Sequence, residues 1–357
     1  MIRKDYLLKQ KRLGRRVFGV FPAQYPREIL WAANILPAEI WDPPLPASAA
    51  DAHLQPYICS VAKLGLGLLL KGKAEMVDGF LFPHTCDSIQ NLASVVHDYI
   101  GLDKPCYFFY HPKAPYRDSA REYYQRQIKA LAQSLEETSG PIDPKELRRR
   151  VAQGQQINQL MGQLYQRRAA GVLHLDNAQF YQAIRRTEWL WPDDLIPELK
   201  EILAHPPIDP DRRPPVVLSG VLPNPPQILN LLDDLGARLG HDDFLACSRR
   251  WLTPAPKAKD PYEALSQAYF GLPPCSSKDS PLSERLAWLL DICQQTRAKG
   301  VIFYTVKFCE TELFDVPILS DELKKNGYPC LTIDTELNQG LSGQLSTRVE
   351  AFLEMLG

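Results

Sequence analysis

The sequence has eight cysteines but contains no pair of them separated by two residues. Zinc ribbons, zinc fingers and thioredoxin-type redox sites are built on such pairs, so the sequence argues against all three. A disulfide framework is also disfavoured, because a chain of this kind is expected in a compartment that keeps thiols reduced. Any metal site must therefore be assembled from distant segments of the chain.

Glycine-rich phosphate-binding motifs are also missing. The sequence contains neither a dinucleotide fingerprint nor a P-loop. Both motifs use glycines so that backbone N–H groups can approach a phosphate closely. Binding of NAD and direct binding of ATP are therefore disfavoured.

Long apolar runs and a large net charge are absent as well. The longest apolar stretch lies within Val61–Leu70 and is interrupted by Lys63, whereas a membrane-spanning helix needs about 20 apolar residues. The first sixteen residues, MIRKDYLLKQKRLGRR, lack the apolar stretch of a secretory signal. A net charge of -1 gives no general attraction to nucleic acid or anionic lipid. We expect a cytoplasmic protein that binds neither membranes nor nucleic acid.

Strand-like and helix-like segments alternate in the first and last thirds of the chain. Such alternation predicts an α/β fold with parallel sheets covered by helices on both faces. Strands are predicted at Arg16–Phe21, Asp78–Phe82, Pro105–Tyr110, Val216–Gly220, Gly300–Tyr304 and Cys330–Ile333, with helices at Pro26–Ile35, Asp87–Ile100, Pro226–Leu239, Leu319–Asn326 and Arg348–Leu356.

The middle of the chain is predicted to be helical. Ser119–Thr138 has apolar residues at helical spacing, and Asp143 and Pro144 have the properties of a helix cap and first helical residue. A third helical region covers about Ala178–Leu203, and the proline-rich stretch His205–Pro215 indicates a connection. The sequence therefore suggests an N-terminal α/β lobe at 1–115, a helical subdomain at 116–204 and a C-terminal α/β lobe at 205–357.

The positions of the cysteines separate them into groups. Cys293 is in step with leucines on a predicted helix, and Cys106 and Cys330 lie in strand-like runs. Free cysteine behaves as a small hydrophobic residue in such places, so these three are expected to be core residues.

Cys59, Cys86 and Cys309 each stand where the chain enters a predicted helix. Helix starts carry free N–H groups and a partial positive charge, which favour thiolates. In open α/β sheets, ligands bind near the carboxyl ends of the strands. Three thiolates meeting there would suit a [4Fe-4S] cluster, but the spacing alone leaves open that they are ordinary cysteines at strand ends.

Longer segments around these cysteines carry a family resemblance. In chain order they are PREI, PYICSVAKLGLG, GFLFPHTCDSIQNL, VVLSGVLPNPPQILNLLDDLGARLG, VKFCETELFDVPIL and GQLSTRVEAFLEML. Together they resemble the family of 2-hydroxyacyl-CoA dehydratase and benzoyl-CoA reductase subunits. The similarity keeps its order from about Arg16 to Leu356, which makes it more specific than any single motif.

The resemblance implies two Rossmann-like lobes with a helical part, and a [4Fe-4S] cluster in the cleft between the lobes. It assigns the cluster ligands to Cys59, Cys86 and Cys309. It also implies a related partner subunit, in a heterodimer or homodimer, and a separate iron-sulfur ATPase that injects an electron. The expected reaction is a one-electron reductive dehydration of a 2-hydroxyacyl-CoA or reduction of an aromatic acyl-CoA; the resemblance identifies no catalytic residue here.

Two alternatives remain open at this point. The family is similar to double-cubane cluster proteins, which reduce small molecules, and Cys247 and Cys275 would then support a larger iron-sulfur centre. The segment DDFLACSRRW departs from the Cys-x-Gly-x-Arg pattern that family members often carry, because its cysteine is shifted and its glycine is missing. Ordinary loop or core thiols are the competing interpretation. The chain could also be a non-catalytic partner that relays electrons.

Four further residues in or near these segments have two interpretations each. His84 could hydrogen-bond a cluster sulfur or be an ordinary loop histidine. Glu310 and Glu312 could act in acid-base chemistry, but solvated carboxylates at a helix start explain them as well. Glu28 could face the active cleft or cap the first turn of its helix.

Overall fold

The computed structural model describes residues 2–357. Its strands are β1 Arg16–Val20, β2 Ile35–Glu39, β3 Gly79–Pro83, β4 Cys106–Phe109, β5 Pro215–Gly220, β6 Arg238–Phe244, β7 Gly300–Val306 and β8 Cys330–Thr335. Its helices are α1 Arg3–Arg12, α2 Arg27–Ala32, α3 Ser60–Leu70, α4 Asp87–Ser94, α5 Ser119–Ser139, α6 Pro144–Ala170, α7 Asn177–Arg185, α8 Pro192–Ala204, α9 Gln227–Asp234, α10 Ser248–Trp251, α11 Pro261–Phe270, α12 Leu282–Thr296, α13 Glu310–Leu313, α14 Val316–Lys325 and α15 Gly343–Leu356. A π-helical turn, Val95–Ile100, continues α4.

Two four-stranded parallel sheets organise these elements. Their strand orders are β2-β1-β3-β4 and β6-β5-β7-β8, and every strand pair within them is parallel. The predicted α/β class with two Rossmann-like sheets is confirmed. Among residues 2–357, no helix combines the length and the apolar character needed to cross a bilayer.

The chain divides into two compact units. Unit 1 comprises Met1–Gln159, Arg186–Glu198 and Thr253–Leu272, and unit 2 comprises Leu160–Arg185, Leu199–Leu252 and Pro273–Gly357. The residues of 116–204 are thus shared between the two units, and a separate helical subdomain stays a prediction.

Each unit has its own apolar core. In unit 1, residues of β1 such as Phe18 and Val20 pack with α2, α5 and α11. In unit 2, β7 packs with α12 and α14 through residues such as Val301 and Phe303. Burial of these strands on both faces explains why they read as continuous apolar runs in the sequence.

Two strands were missing from the sequence prediction. The predicted helices Pro26–Ile35 and Pro226–Leu239 covered only the first one or two residues of β2 and β6, and the rest of each strand was assigned to no element. β2 contains Pro37, and β6 contains Asp242 and Asp243. Proline and aspartate are both depleted in strands, so these residues argued against a strand prediction. Each of these strands lies at the edge of its sheet, where a proline costs no ladder hydrogen bond if its nitrogen faces outward.

The strand predicted at Pro105–Tyr110 is present as β4, Cys106–Phe109, but it is only partly buried. β4 lies at the edge of its sheet, and Phe108 keeps 39% of its surface exposed. By contrast, the predicted start of α6 is confirmed, since the Asp143 carboxylate accepts a hydrogen bond from the Lys145 N–H at 2.8 Å. The helix cap was therefore predictable from the local sequence, whereas the position of the strand within its sheet was not.

Candidate functional site

All three cysteines singled out by the sequence stand immediately before a helix. Cys59 is the N-cap of α3, Cys86 the N-cap of α4 and Cys309 the N-cap of α13, and in none of them does the side chain cap the helix. The Cys86 sulfur lies close to the N–H groups of Ser88 and Ile89, in the first turn of α4. The expected position of each cysteine at a helix entry is confirmed.

In unit 1, Cys59 and Cys86 lie close enough for their sulfurs to interact electrostatically. Cys86 is half-buried as a residue, but protein atoms surround its sulfur, and this burial is the largest influence on the pKa of the thiol. The neighbouring Cys59 acts in the same direction. Together they raise the pKa of the Cys86 thiol to about 12, against smaller opposing effects of the Ile89 and Ser88 N–H groups and Lys113. Without a bound cation, Cys86 is therefore a neutral thiol at neutral pH.

The Cys86 loop is fixed to the loop that follows β1. The Thr85 hydroxyl donates to the Pro22 carbonyl at 2.5 Å and accepts from the Ala23 N–H at 3.0 Å. Lys113 donates to the Thr85 carbonyl at 3.0 Å. Because β1 and β3 are parallel neighbours, both loops leave the same edge of the sheet, where ligands bind in this class of fold.

Cys309 belongs to unit 2 and follows a strained residue. Phe308 has a φ of 62°, which is unfavourable for an aromatic residue. The Cys309 sulfur lies 3.6 Å from the Thr311 hydroxyl, and the residue is half-buried. Within residues 2–357, no three or more His, Cys, Asp or Glu side chains lie close enough together to hold a metal ion, and joint ligation by the three cysteines stays a prediction.

The donor set nevertheless has the right chemistry for iron and sulfide. Iron-sulfur clusters are held by cysteine thiolates, and N–H groups near the sulfurs help stabilise their negative charge. Cys59 and Cys86 provide two such sulfurs in one place, with the Ser88 and Ile89 N–H groups close to one of them. The residues of unit 1 therefore fit part of a cluster site.

A buried group of charges in unit 2 was not anticipated from the sequence. It consists of Asp243, Arg249, Arg285 and Glu312, each at most 1% exposed, and we call it the Glu312 network. Arg249 binds Asp243 through two hydrogen bonds of 2.7 and 2.6 Å and also binds Glu312. Arg285 binds Glu312 at 3.0 Å. The only sequence signal was the acidic pair followed six residues later by arginine.

This finding corrects one part of the interpretation of Glu312: it stands at a helix start, in the first turn of α13, but it is not solvated. Glu310 is exposed, as that interpretation expects, but Glu312 is 1% exposed. Burial by itself would raise the pKa of Glu312, yet Arg249 and Arg285 outweigh it and hold that pKa well below its ordinary value of 4.5. An ionised carboxylate between two guanidiniums is a poor general acid or base at neutral pH.

The depressed pKa of Glu312 gives stability a defined pH dependence. Because the pKa is lower in the folded state, the contribution of this carboxylate is complete above about pH 5 and is lost as the pH falls further. The stability difference between wild type and Glu312→Gln should therefore shrink below the ordinary pKa of 4.5, by up to about 1.4 kcal/mol per pH unit. Urea unfolding at about pH 7 and pH 3.5 measures it, and the exposed Glu310→Gln should show no such trend.

Cys247 and Cys275 are both completely buried in unit 2. Cys275 lies 3.1 Å from the Ser277 hydroxyl and 3.7 Å from Nη1 of Arg249. Cys247 lies near the phenols of Tyr165 and Tyr181, to which it is electrostatically coupled. A role of these two cysteines in a larger cluster stays a prediction.

The three cysteines expected in the core differ in exposure. Cys293 is fully buried, as predicted, and burial raises the pKa of its thiol to about 12. Cys106 and Cys330 are only half-buried, because each begins a strand at the edge of a sheet. The prediction was therefore wrong in part for these two residues.

His84 and Glu28 both belong to unit 1. The His84 ring lies edge-on to Tyr110 and 3.9 Å from the Asp87 carboxylate. Glu28 lies in the first turn of α2, and burial raises the pKa of its carboxyl group. A Cβ on Gly154 of α6 would stand 2.2 Å from Glu28 Oε1, so this glycine makes room for the carboxylate. The alternatives considered for both residues stay open.

Sequence comparison with known proteins finds relatives that match almost the whole chain. The family described as 2-hydroxyglutaryl-CoA dehydratase, D-component, matches residues 22–356. The chain is 24% identical to the (R)-phenyllactyl-CoA dehydratase beta subunit of Clostridium sporogenes, over 99% of this chain and 95% of that protein. It is 26% identical to a benzoyl-CoA reductase subunit of Thauera aromatica, over 98% and 92% of the two chains.

A third relative is the (R)-2-hydroxyglutaryl-CoA dehydratase beta subunit of Acidaminococcus fermentans, 23% identical over 99% of this chain and 96% of that protein. All three relatives are named as subunits of enzymes. Since the family match covers nearly the whole sequence, the chain belongs to the 2-hydroxyglutaryl-CoA dehydratase D-component family, a family of enzyme subunits.

Proposed function

We propose that this chain is the iron-sulfur subunit of an ATP-activated enzyme that dehydrates a 2-hydroxyacyl-CoA or reduces an aromatic acyl-CoA by one-electron chemistry. Cys59, Cys86 and Cys309 hold a [4Fe-4S] cluster in this proposal. The observation that carries it is the approach of Cys59 and Cys86 at two helix starts, in a chain that matches the family from residue 22 to residue 356.

When bound, the cluster would supply an electron at low potential. A hydrogen next to an ordinary thioester is too weakly acidic, and an aromatic ring too stable, for acid-base chemistry alone. Adding one electron to the thioester makes that hydrogen acidic or that ring reducible. The energy for this unfavourable transfer comes from ATP hydrolysis on a separate iron-sulfur ATPase, since this chain has no P-loop of its own.

The protein contributes sulfur ligands and their surroundings. Burial disfavours the thiolate form of Cys86, and the Ser88 and Ile89 N–H groups and Lys113 partly offset this effect; the thiolate is the form that binds iron. Thr85 fixes the loop before Cys86 through the Pro22 carbonyl. These contacts hold a ligand in place before metal arrives, which reduces the ordering cost of binding.

A related subunit is the proposed partner. The names of all three relatives describe them as subunits, and such names imply assembly with other chains. Turnover of an acyl-CoA by this chain with its activator, measured with and without the neighbouring subunit, separates a catalytic role from that of an electron-relay partner.

The decisive test is iron and sulfide content after anaerobic reconstitution. Wild type should bind about four irons per chain, and Cys59→Ser, Cys86→Ser and Cys309→Ser should each lose most of that iron together with the EPR signal of the reduced protein. Cys106→Ser in unit 1 and Cys330→Ser in unit 2 are matched controls, because both thiols are half-buried like Cys86 and Cys309.

Iron content also separates the alternatives. About eight irons per chain would indicate a double-cubane centre instead, and loss on Cys275→Ser would then be expected. A wild-type protein that stays free of iron, or ligand variants that bind as much iron as the two controls, would contradict the proposal.

A further inference from the structure

Cys309 and Glu312 occupy the same short helical turn. The N–H groups of Glu312 and Leu313 donate to the Cys309 carbonyl at 3.0 and 2.9 Å. α13 has four residues and follows Phe308, whose φ of 62° is strained. A helix of this length has little stability of its own, so the direction of the Cys309 side chain must be set by other contacts.

Those contacts converge on the Glu312 carboxylate. Oε1 accepts hydrogen bonds from Arg249 Nη1 and from the Ser276 hydroxyl, the latter at 2.7 Å. Oε2 accepts from Arg285 Nη2 at 3.0 Å. Three donors from three separate segments of unit 2 therefore hold the carboxylate. Glu312 itself is 1% exposed.

The donors are themselves fixed. The guanidinium of Arg249 donates two hydrogen bonds to Asp243 on β6. Such planar pairing fixes both the distance between the two groups and the orientation of the guanidinium. The Asp243 carboxylate accepts further bonds from the Ser219 hydroxyl at 2.7 Å and Trp288 Nε1 at 3.1 Å. Arg285 also binds the Asp315 carboxylate at 2.5 Å, so both buried guanidiniums are paired with carboxylates.

We infer that Glu312 is a positioning residue: by binding Arg249, Arg285 and Ser276 it holds the Cys309 turn in the orientation required of a cluster ligand. The inference deepens the proposed function and rests on it for the identity of the ligand. In this role Glu312 acts through Cys309 and takes no part in acid-base catalysis.

The test compares Glu312→Gln with Glu310→Gln in the metal-free protein. Both variants remove one negative charge from α13, but Glu310 is exposed and outside the network. Alkylation by iodoacetamide, followed by peptide mass spectrometry, measures the reaction rate of each cysteine. We expect Glu312→Gln to speed modification of Cys309 about tenfold, because hydrogen bonds to a buried charge are lost, and Glu310→Gln to leave it unchanged.

Internal controls separate positioning from general loss of stability. Cys330 in unit 2 and Cys106 in unit 1 are also half-buried, and their rates should stay at the wild-type value. Equal acceleration at all three cysteines, or no acceleration at Cys309, would overturn the inference. If Glu312→Gln does not fold, Ser276→Ala decides, with an expected acceleration of about threefold at Cys309 alone.

A second readout uses the reconstituted protein. Glu312→Gln should change the EPR signal and shift the midpoint potential relative to both wild type and Glu310→Gln, and identical signals and potentials in all three proteins would overturn the inference. A wild type without iron would contradict the proposed function, whereas the alkylation rates would still decide whether Glu312 positions Cys309.

Discussion

Replacing Arg249 with methionine should lower the free energy of unfolding by about 3–5 kcal/mol. Arg249 is completely buried and binds both Asp243 and Glu312. Methionine fills similar space but pairs with neither carboxylate, and an unpaired buried charge costs far more than a surface ion pair contributes. Urea unfolding followed by circular dichroism measures the loss.

Arg126→Met is the matched control for this change. Arg126 lies 3.8 Å from Glu122 on α5, and both side chains are mostly exposed. Such a pair contributes little, and a change below about 0.5 kcal/mol is expected. A loss below about 1 kcal/mol for Arg249→Met would mean that the buried carboxylates find other partners or take up protons.

Gly220→Ala should be comparably destabilising, for a steric reason. Gly220 ends β5 with a φ of 155°, and a Cβ there would stand 2.1 Å from the Tyr304 carbonyl oxygen on β7. That oxygen is part of the backbone and belongs to the neighbouring strand, so neither strand can move without disturbing the sheet. We expect a loss of about 3 kcal/mol or more, combining overpacking with an unfavourable backbone conformation.

Gly340→Ala provides the comparison for that substitution. Apart from Gly340 itself and its two chain neighbours, no heavy atom of residues 2–357 would lie within 4 Å of its added Cβ, so its effect should stay within about 0.5 kcal/mol of zero. Thermal unfolding of both variants beside wild type gives the difference. Equal melting temperatures for the two variants would show that the sheet adjusts around position 220.

Much of the fold was predictable because its signals are local. The cores of β1, β3, β5, β7 and β8 read as apolar runs, and the caps and proline positions marked helix starts. β2 and β6 were missed, since their prolines and acidic residues argue against a strand. β6 is stabilised by pairing with β5 and by binding of Asp243 to Arg249. The pairing with β5 has no local sequence signal.

The candidate site was predictable to a similar degree. Positions of Cys59, Cys86 and Cys309 before helices followed from the order of predicted elements, and the structure places each at an N-cap. Glu312 was misread, because a carboxylate three residues after Cys309 looks the same in sequence whether solvent or arginine surrounds it. Arg285 comes from α12, which is distant in the chain.

The sequence by itself determined the α/β class, the helix entries occupied by the three cysteines and the family to which the chain belongs, because each depends on the order and type of residues along the chain. Tertiary structure decided which charges became buried, which thiols approached each other and which strands lay at the edges of the sheets. These depend on neighbours supplied by distant segments, and burial changes the cost of a charge or thiolate only once those neighbours are in place.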